Sequence, residues 1–459
     1  MVWIRGAESP ADASNAAAAR PTSKVAEGSH FTVGADYRLA LELEKARLQQ
    51  GLLLGTMIGA LEPGHHSPDL PARQGAPGPK SLYNLPEINM STQALAVPKT
   101  LPARYYTDPE VFREEMERFY CQTWICAGRA GQIPNPGDYF LREVAGESII
   151  ITRDQGGQIT AFYNVCRHRG TRMCSEPQGS FAGRIQCPYH GWTYGLDGRL
   201  MGAPHMEEGG SFCREDYPLN RVATGVWDGN VFINLAPHPE PLEKQLAELP
   251  AKFAPWRMQD LRLHKRLVYL VKANWKLIIL NYNECLHCPV LHPTLNRLTN
   301  YLGADNEVPQ PTYVGGSMGF KGGAETMSVD GKRRRDYLPG LTEEERRKVC
   351  YYAIYPNFLL SLHPDYMMTH TLWPRAVNLT EIVCEWHFHP SEMAKPGFRA
   401  NDAIDFWDLT NREDWGISEL SQLGISSRAY KPGPYSTREQ LLHAFDEVVL
   451  AREQERKMK

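Results

Sequence analysis

At 459 residues the chain is long enough for two or three domains, and a 42% hydrophobic fraction with 38 Gly and 34 Pro describes an ordinary globular protein. Its 50 Lys+Arg against 53 Asp+Glu leave a formal net charge of -3, which gives no reason to expect nucleic acid or an acidic membrane as partner. Ten cysteines without a secretory signal pattern argue for reduced thiols in a cytoplasm, and the best apolar run, 51–61, is too short to span a bilayer.

Residues 1–89 differ in character from the rest of the chain, with an Ala/Ser/Pro-rich beginning, one expected helix over 36–54 and a loop-like region over 64–80. From residue 101 the composition is that of a folded domain. Thr107-Asp-Pro-Glu110 is a helix-start signal, with Thr107 as the expected cap and Glu110 three residues on, and it predicts a helix over 109–119. Short strands come next, punctuated by Gly131, Pro134 and Pro136-Gly137, then the β-branched run 148–152 and a turn at 154–157. Up to residue 235 this reads as a small all-β domain.

That domain contains Cys166-Arg-His168 and, after eighteen intervening residues, Cys187-Pro-Tyr-His190. Thiolates suit zinc or iron–sulfur clusters and imidazoles suit zinc, copper or iron, so residue types alone leave zinc open. A structural zinc finger pairs its Cys together and its His together, whereas here each half is mixed. The mixture fits a [2Fe–2S] centre with two Cys on one iron and two His on the other. Gly170, Pro188 and Gly191 permit the tight turns that aim backbone N–H groups at sulfur. Cys174, between the halves, breaks the spacing and is expected to be a buried structural thiol.

Further on, residues 266–279 are strand-like and run into a helical pattern over 275–292, which includes Asn281-Tyr-Asn-Glu284-Cys-Leu-His287-Cys-Pro-Val-Leu-His292. Two His at i and i+5 do not share one helix face, but Pro289 ends or kinks the helix and lets His292 return toward His287. Two His and one carboxylate with open positions mark mononuclear Fe(II) oxygenases, so a carboxylate is needed. Asp408, Glu413 and Asp414 compete for it in a helical stretch where Trp407, Asn411, Asp414 and Ser418 share a face. A charged, exposed segment is expected over 332–348. Strands are expected over 349–362, 366–373 and 379–388 with a turn at 376–378, and a last amphipathic helix over 437–452.

The run Asn164-Val-Cys-Arg-His-Arg-Gly170 with Cys187-Pro-Tyr-His-Gly-Trp192 resembles the cluster domain of Rieske-type non-haem iron oxygenases, in their large (alpha) catalytic subunit. Asn274-Trp-Lys276 and the pair His287 and His292 also match that family. The resemblance begins near Met90, which implies that 1–89 is a flexible extension or a mis-assigned leader. It implies an α+β fold: a helical segment over 90–122 that packs on the catalytic domain, a small all-β Rieske [2Fe–2S] domain over 123–235, and a catalytic domain over 236–459. The last would be an antiparallel sheet covered by helices, of the helix-grip, START-like kind.

For the sites, the resemblance implies Cys166, His168, Cys187 and His190 as [2Fe–2S] ligands and His287, His292 and Asp414 as ligands of a mononuclear Fe(II). Glu284 stands where the family has an acid that links the cluster of one subunit of a homotrimer to the iron of the next. Cys285 and Cys288 would be packing residues, not ligands. No Rossmann fingerprint or flavin motif is visible, so NAD(P)H oxidation is expected in a flavin- or ferredoxin-type reductase partner. Glu284 in place of the commoner Asp, and the run around it, resemble the branch that acts on glycine betaine, carnitine or proline betaine. That branch implies monooxygenation of an N-methyl group with release of formaldehyde. Tyr282, Phe358, Tyr366, Trp373 and Trp386 are the aromatic residues expected to hold a quaternary ammonium by cation–π attraction. An aromatic-ring or small-acid hydroxylating dioxygenase, and an electron carrier or binding protein with an inactive second site, are the alternatives.

Overall fold

The structure, a computed structural model, describes residues 97–206 and 210–457. The helix expected over 36–54 and the boundary at 89 lie outside these residues. A short helix Arg104–Thr107 leads into the helix Pro109–Glu115, which widens into a π-helical turn over Met116–Tyr120. The cap is Asp108 rather than the expected Thr107: its carboxylate accepts the Glu110 N–H at 2.8 Å, while the Thr107 hydroxyl donates to the Ala103 carbonyl. Pro109 is the reason, because the residue before a proline is driven to extended backbone, and that residue is then placed as an N-cap.

Ten strands come next along the chain: β1 (Ile125–Arg129), β2 (Asp138–Val144), β3 (Glu147–Arg153), β4 (Ile159–Tyr163), β5 (Gln178–Ser180), β6 (Arg184–Gln186), β7 (Thr193–Gly195), β8 (Leu200–Gly202), β9 (Arg221–Trp227) and β10 (Asn230–Asn234). Seven form an antiparallel sheet in the order β1-β10-β9-β4-β3-β2-β5, and β6-β7-β8 form a small sheet. The isoleucines of β3 explain how the two are joined. Ile149 and Ile151 enter the core shared with Trp275 and Trp386, and Ile150, on the other face, packs with Phe162, Trp192 and the two Cys of the mixed motifs.

The second large sheet holds β11 (Arg262–Val271), β12 (Thr299–Asn306), β13 (Tyr313–Phe320), β14 (Lys348–Ile354), β15 (Phe358–Leu362), β16 (Met367–Ala376) and β17 (Leu379–Phe388), in the antiparallel order β11-β17-β16-β15-β14-β13-β12. The single strand expected over 349–362 is the hairpin β14–β15, broken at Tyr355-Pro356-Asn357. Pro356 has no N–H for a ladder, and the Asn357 side chain bonds both the N–H and the carbonyl of Cys126 in β1, at 2.9 and 3.0 Å. The segment 332–348 is not wholly exposed either. Arg335 is buried and binds Asp365 at 2.9 Å and Asp402 at 2.6 Å.

Four helices position the second site. The helix Trp275–Tyr282 is capped by Asn274, whose side chain accepts the Lys276 N–H. Trp275 Nε1–H and Lys276 Nζ both donate to Glu115, Lys276 at 2.6–2.7 Å, so these residues fasten the N-terminal helix to the catalytic layer. The helix expected to continue to His292 stops at Tyr282. Asn283 Nδ2–H donates to the Ile279 carbonyl and the Glu284 carboxylate accepts the Leu286 N–H, so side chains replace the helical bonds. Two short helices come after it, Cys288–Leu291 and Pro293–Leu298, each with Pro in its first turn. The long helix Asn401–Ile425 runs past them, and the last helix, Gln440–Lys457, begins three residues later than expected.

Candidate metal centres

The two mixed motifs lie on loops of the same construction. In each, the Cys N–H donates to the carbonyl five residues on, Cys166 to Thr171 at 2.9 Å and Cys187 to Trp192 at 2.8 Å. In each, a glycine N–H four residues on donates back to the Cys carbonyl, Gly170 at 3.0 Å and Gly191 at 3.2 Å. Gly170 and Gly191 have φ of 75° and 71°, a left-handed backbone that a side chain disfavours. The pairing Gln186↔Thr193 of β6 and β7 fixes the second loop, and the ring centroids of His168 and His190 lie 4.8 Å apart.

Cys166 and Cys187 are free and buried, and Trp192 stacks on His168 at 4.8 Å and 6°. Burial pushes the Cys187 thiol up, while the N–H groups of Tyr189 and His190 donate to its sulfur and favour the thiolate. The Tyr194 hydroxyl lies 3.5 Å from Cys166 Sγ. His168 Nδ1 is buried and has no hydrogen-bond partner among the described residues. Two thiols, two imidazoles, N–H groups on sulfur and an orphaned ring nitrogen form a donor set that fits a cluster held by two Cys and two His. Cys174, expected to be buried, is half-buried, and Asn164 Oδ1 accepts its N–H at 3.2 Å.

The second centre lies between the 283–292 turn and the long helix. His292 Nε2 is 2.8 Å and His287 Nε2 3.3 Å from the same oxygen, Oδ1 of Asp414. Each imidazole presents its other nitrogen to a carboxylate, His287 Nδ1 to Glu284 and His292 Nδ1 to Glu413 at 2.7 Å. Such outer carboxylates fix the tautomer and aim the remaining lone pair. Burial opposes charge on both rings, yet the bonds to Asp414 and to Glu284 or Glu413 outweigh it and push each pKa up to about 9. Burial would raise Asp414, yet the two imidazoles beside it hold its carboxyl below the ordinary value. Two imidazoles and one carboxylate oriented on one point form a donor set that fits ferrous ion with open positions.

His287, Cys288 and His292 also lie close, with possible ligand atoms within 4.8 Å of one another. Asp414 is the stronger third donor, its Oδ1 lying within 3.3 Å of both Nε2 atoms, while Cys288 is bonded to Cys285 in a disulfide rather than simply packed as expected. Of the competing acids, Glu413 holds His292, and Asp408 accepts from the Tyr269 hydroxyl at 2.7 Å and from Arg412.

A cavity of about 200 Å³ opens on this centre, lined by Glu284, His287, His292 and Asp414 and walled by Tyr282, Tyr301, Tyr351 and Trp407. Of the five aromatic residues expected to line it, Tyr282 does. Phe358, Tyr366, Trp373 and Trp386 do not: all four are buried in the cores that join the sheets to their helices. Tyr366 acts on the cavity at one remove, accepting the Trp407 Nε1–H at 2.7 Å. Sequence reasoning missed Trp407 as a wall residue and Glu413 as the partner of His292. The signal for Glu413 was available, because a buried metal-binding His needs an acceptor and this carboxylate neighbours Asp414.

Two sequence families match the chain: a Rieske [2Fe-2S] domain over residues 123–223 and a ring hydroxylating alpha subunit catalytic domain over 258–455. The glycine betaine monooxygenase oxygenase subunit of Pseudomonas aeruginosa is 30% identical over 367 residues, covering 73% of this chain and 85% of that one. The carnitine monooxygenase oxygenase subunit of Escherichia coli is 40% identical over 196 residues, covering 42% of this chain and 52% of that one. Among solved structures, the quaternary ammonium Rieske monooxygenase CntA in complex with L-carnitine aligns with a TM-score of 0.64 at 26% identity, over 78% of this chain and 96% of that one.

Proposed function

Because this chain belongs to the Rieske-type non-haem iron oxygenases, as a catalytic alpha subunit with a [2Fe–2S] cluster and a mononuclear iron, we propose that it is the oxygenase component of an N-demethylating monooxygenase for a quaternary ammonium compound. Cys166, His168, Cys187 and His190 would hold the cluster, and His287, His292 and Asp414 the iron. Once bound, the cluster supplies stored electrons and the ferrous ion supplies O2 activation. The residues of the chain do the rest by position. Glu284 and Glu413 accept the Nδ1–H bonds of His287 and His292, so both Nε2 lone pairs are aimed at the position they share with Asp414. Tyr282, Tyr301, Tyr351 and Trp407 line the cavity with aromatic rings suited to a methylated ammonium, and desolvation inside the cavity would strengthen a cation–π contact there to about 2 kcal/mol.

The balanced reaction consumes one substrate, one O2, two electrons and two protons, and gives an N-hydroxymethyl product and one water. The N-hydroxymethyl product then loses formaldehyde and a proton, leaving the tertiary amine. The electrons would come from NAD(P)H through a separate flavin- or ferredoxin-type reductase. In a homotrimer, Glu284 would join His287 to His190 of the neighbouring subunit. Among the described residues no helix is long and apolar enough to cross a membrane, and we place the protein in the cytoplasm with its reductase.

The observation that carries the reading is the aromatic-walled cavity ending on two imidazoles that share Asp414. The test is turnover with a surrogate reductase on a panel of methylated amines and aromatic acids. Formaldehyde formed in step with a demethylated betaine-type product supports it, and hydroxylated aromatic products without formaldehyde refute it.

A further inference from the structure

Cys285 and Cys288 are bonded to each other, and their Cα atoms are 5.0 Å apart, within the range that a disulfide bridges without backbone movement. The other eight cysteines among the described residues are free. In a reducing compartment an isolated disulfide is usually transient and redox-active rather than structural. Its place is informative: the ring it closes contains His287, Cys285 lines the cavity, and Cys288 is buried beside the two imidazoles, with ligand atoms of His287, Cys288 and His292 all within 4.8 Å. A disulfide sulfur is a weak ligand. A free thiol gives up its proton to a bound metal and becomes a strong, soft one.

We propose that Cys285 and Cys288 are a reversible dithiol–disulfide pair whose oxidation keeps Cys288 out of the metal centre. Formation of the bond takes two thiols and one hydrogen peroxide to a disulfide and two waters. A phosphine reverses it, taking the disulfide and one water to two thiols and a phosphine oxide. Reduced, Cys288 offers a thiolate to the cavity that already holds two imidazoles, and the set His287, Cys288 and His292 favours zinc over ferrous ion. Oxidised, the pair leaves Asp414 as the third donor. The disulfide therefore guards metal identity at a site whose chemistry requires iron. This inference rests on the assignment of His287 and His292 as metal ligands.

The experiment uses the full chain with its cluster intact, the mononuclear site stripped and reloaded with one equivalent of zinc. The zinc absorption edge reports that ion's neighbours without interference from the cluster iron. Four samples are compared: peroxide-treated protein, phosphine-reduced protein freed of reagent, reduced Cys288→Ser, and Cys285→Ser prepared without added oxidant. Alkylation and mass spectrometry follow the thiols. The expected result is a sulfur neighbour at about 2.3 Å in the reduced protein and in Cys285→Ser, absent from the oxidised protein and from Cys288→Ser. Two imidazoles and only oxygen around zinc in all four samples overturns the inference and leaves the His assignment standing. Zinc without imidazole neighbours overturns the His assignment itself, and a pair that peroxide does not close or phosphine does not open overturns the proposed reversibility.

Discussion

Replacing Glu413 tests how the second centre is built without touching any group that would contact the metal. His292 is 2% exposed, and its Nδ1 is 2.7 Å from the Glu413 carboxylate, so little water can reach the ring if that acceptor is lost. Glu413→Ala leaves a buried N–H unpaired, at a cost of about 1–3 kcal/mol. Losing the outer carboxylate of a metal-bound His weakens metal binding about 10–100-fold, which is about 1.4–2.7 kcal/mol, so the two estimates agree. Glu413→Gln keeps an acceptor but not its charge and falls between. Asp405, on an exposed face of the same helix, supplies the control through Asp405→Asn. The assay is anaerobic ferrous titration of protein with its cluster intact, against a competing chelator. Affinity should fall in the order wild type and Asp405→Asn, then Glu413→Gln, then Glu413→Ala. Wild-type affinity in Glu413→Ala would refute the claim that this carboxylate aims His292.

Lys276→Met strands the buried Glu115 carboxylate and should cost about 3–5 kcal/mol in chemical denaturation, with Glu115→Gln added to it restoring much of the loss. Tyr194→Phe removes a hydroxyl from Cys166 Sγ; a bond of about 1 kcal/mol corresponds to about 40 mV in a one-electron couple, so the cluster potential should drop by that order in a redox titration, with no change if the hydroxyl does not interact. Asp446 is buried against the Tyr435 hydroxyl, and burial raises its pKa to about 7. Its folded pKa exceeds the unfolded one, so its stabilising contribution is full below the unfolded value and is lost as pH rises through about 7. Asp446→Asn keeps an acceptor for Tyr435, and its melting temperature should gain on wild type between about pH 4 and about pH 7, the full linkage being about 4 kcal/mol; a pH-independent difference would contradict this.

The features most legible in the sequence are those set by local spacing. The mixed Cys/His pairs announce themselves because each half is confined to one tight loop, and Gly170 and Gly191 mark the left-handed turns those loops need. The strands were visible in β-branched and aromatic patterning, whereas the α+β architecture and the antiparallel sheet were implied by the family resemblance. Position along a helix was less so. The pattern over 275–292 reads as continuous helix, and only the competing side-chain bonds of Asn283 and Glu284 reveal why it stops at Tyr282. The aromatic residues mark the other limit. Phe358, Trp373 and Trp386 have the character wanted in a cavity wall, but a buried strand between packed layers wants the same character, and nothing local separates the two. The Cys285–Cys288 bond and the pairing of Glu413 with His292 depend on where the chain returns in space, which no window of sequence contains.

Iron and acid-labile sulfide measured together in wild type and Asp414→Ala address the two-centre account most directly. Wild type should hold one iron beyond those its sulfide accounts for, and Asp414→Ala should keep the cluster's spectrum and sulfide while losing that iron and all turnover. A variant that retains the extra iron and demethylates at the wild-type rate would contradict it.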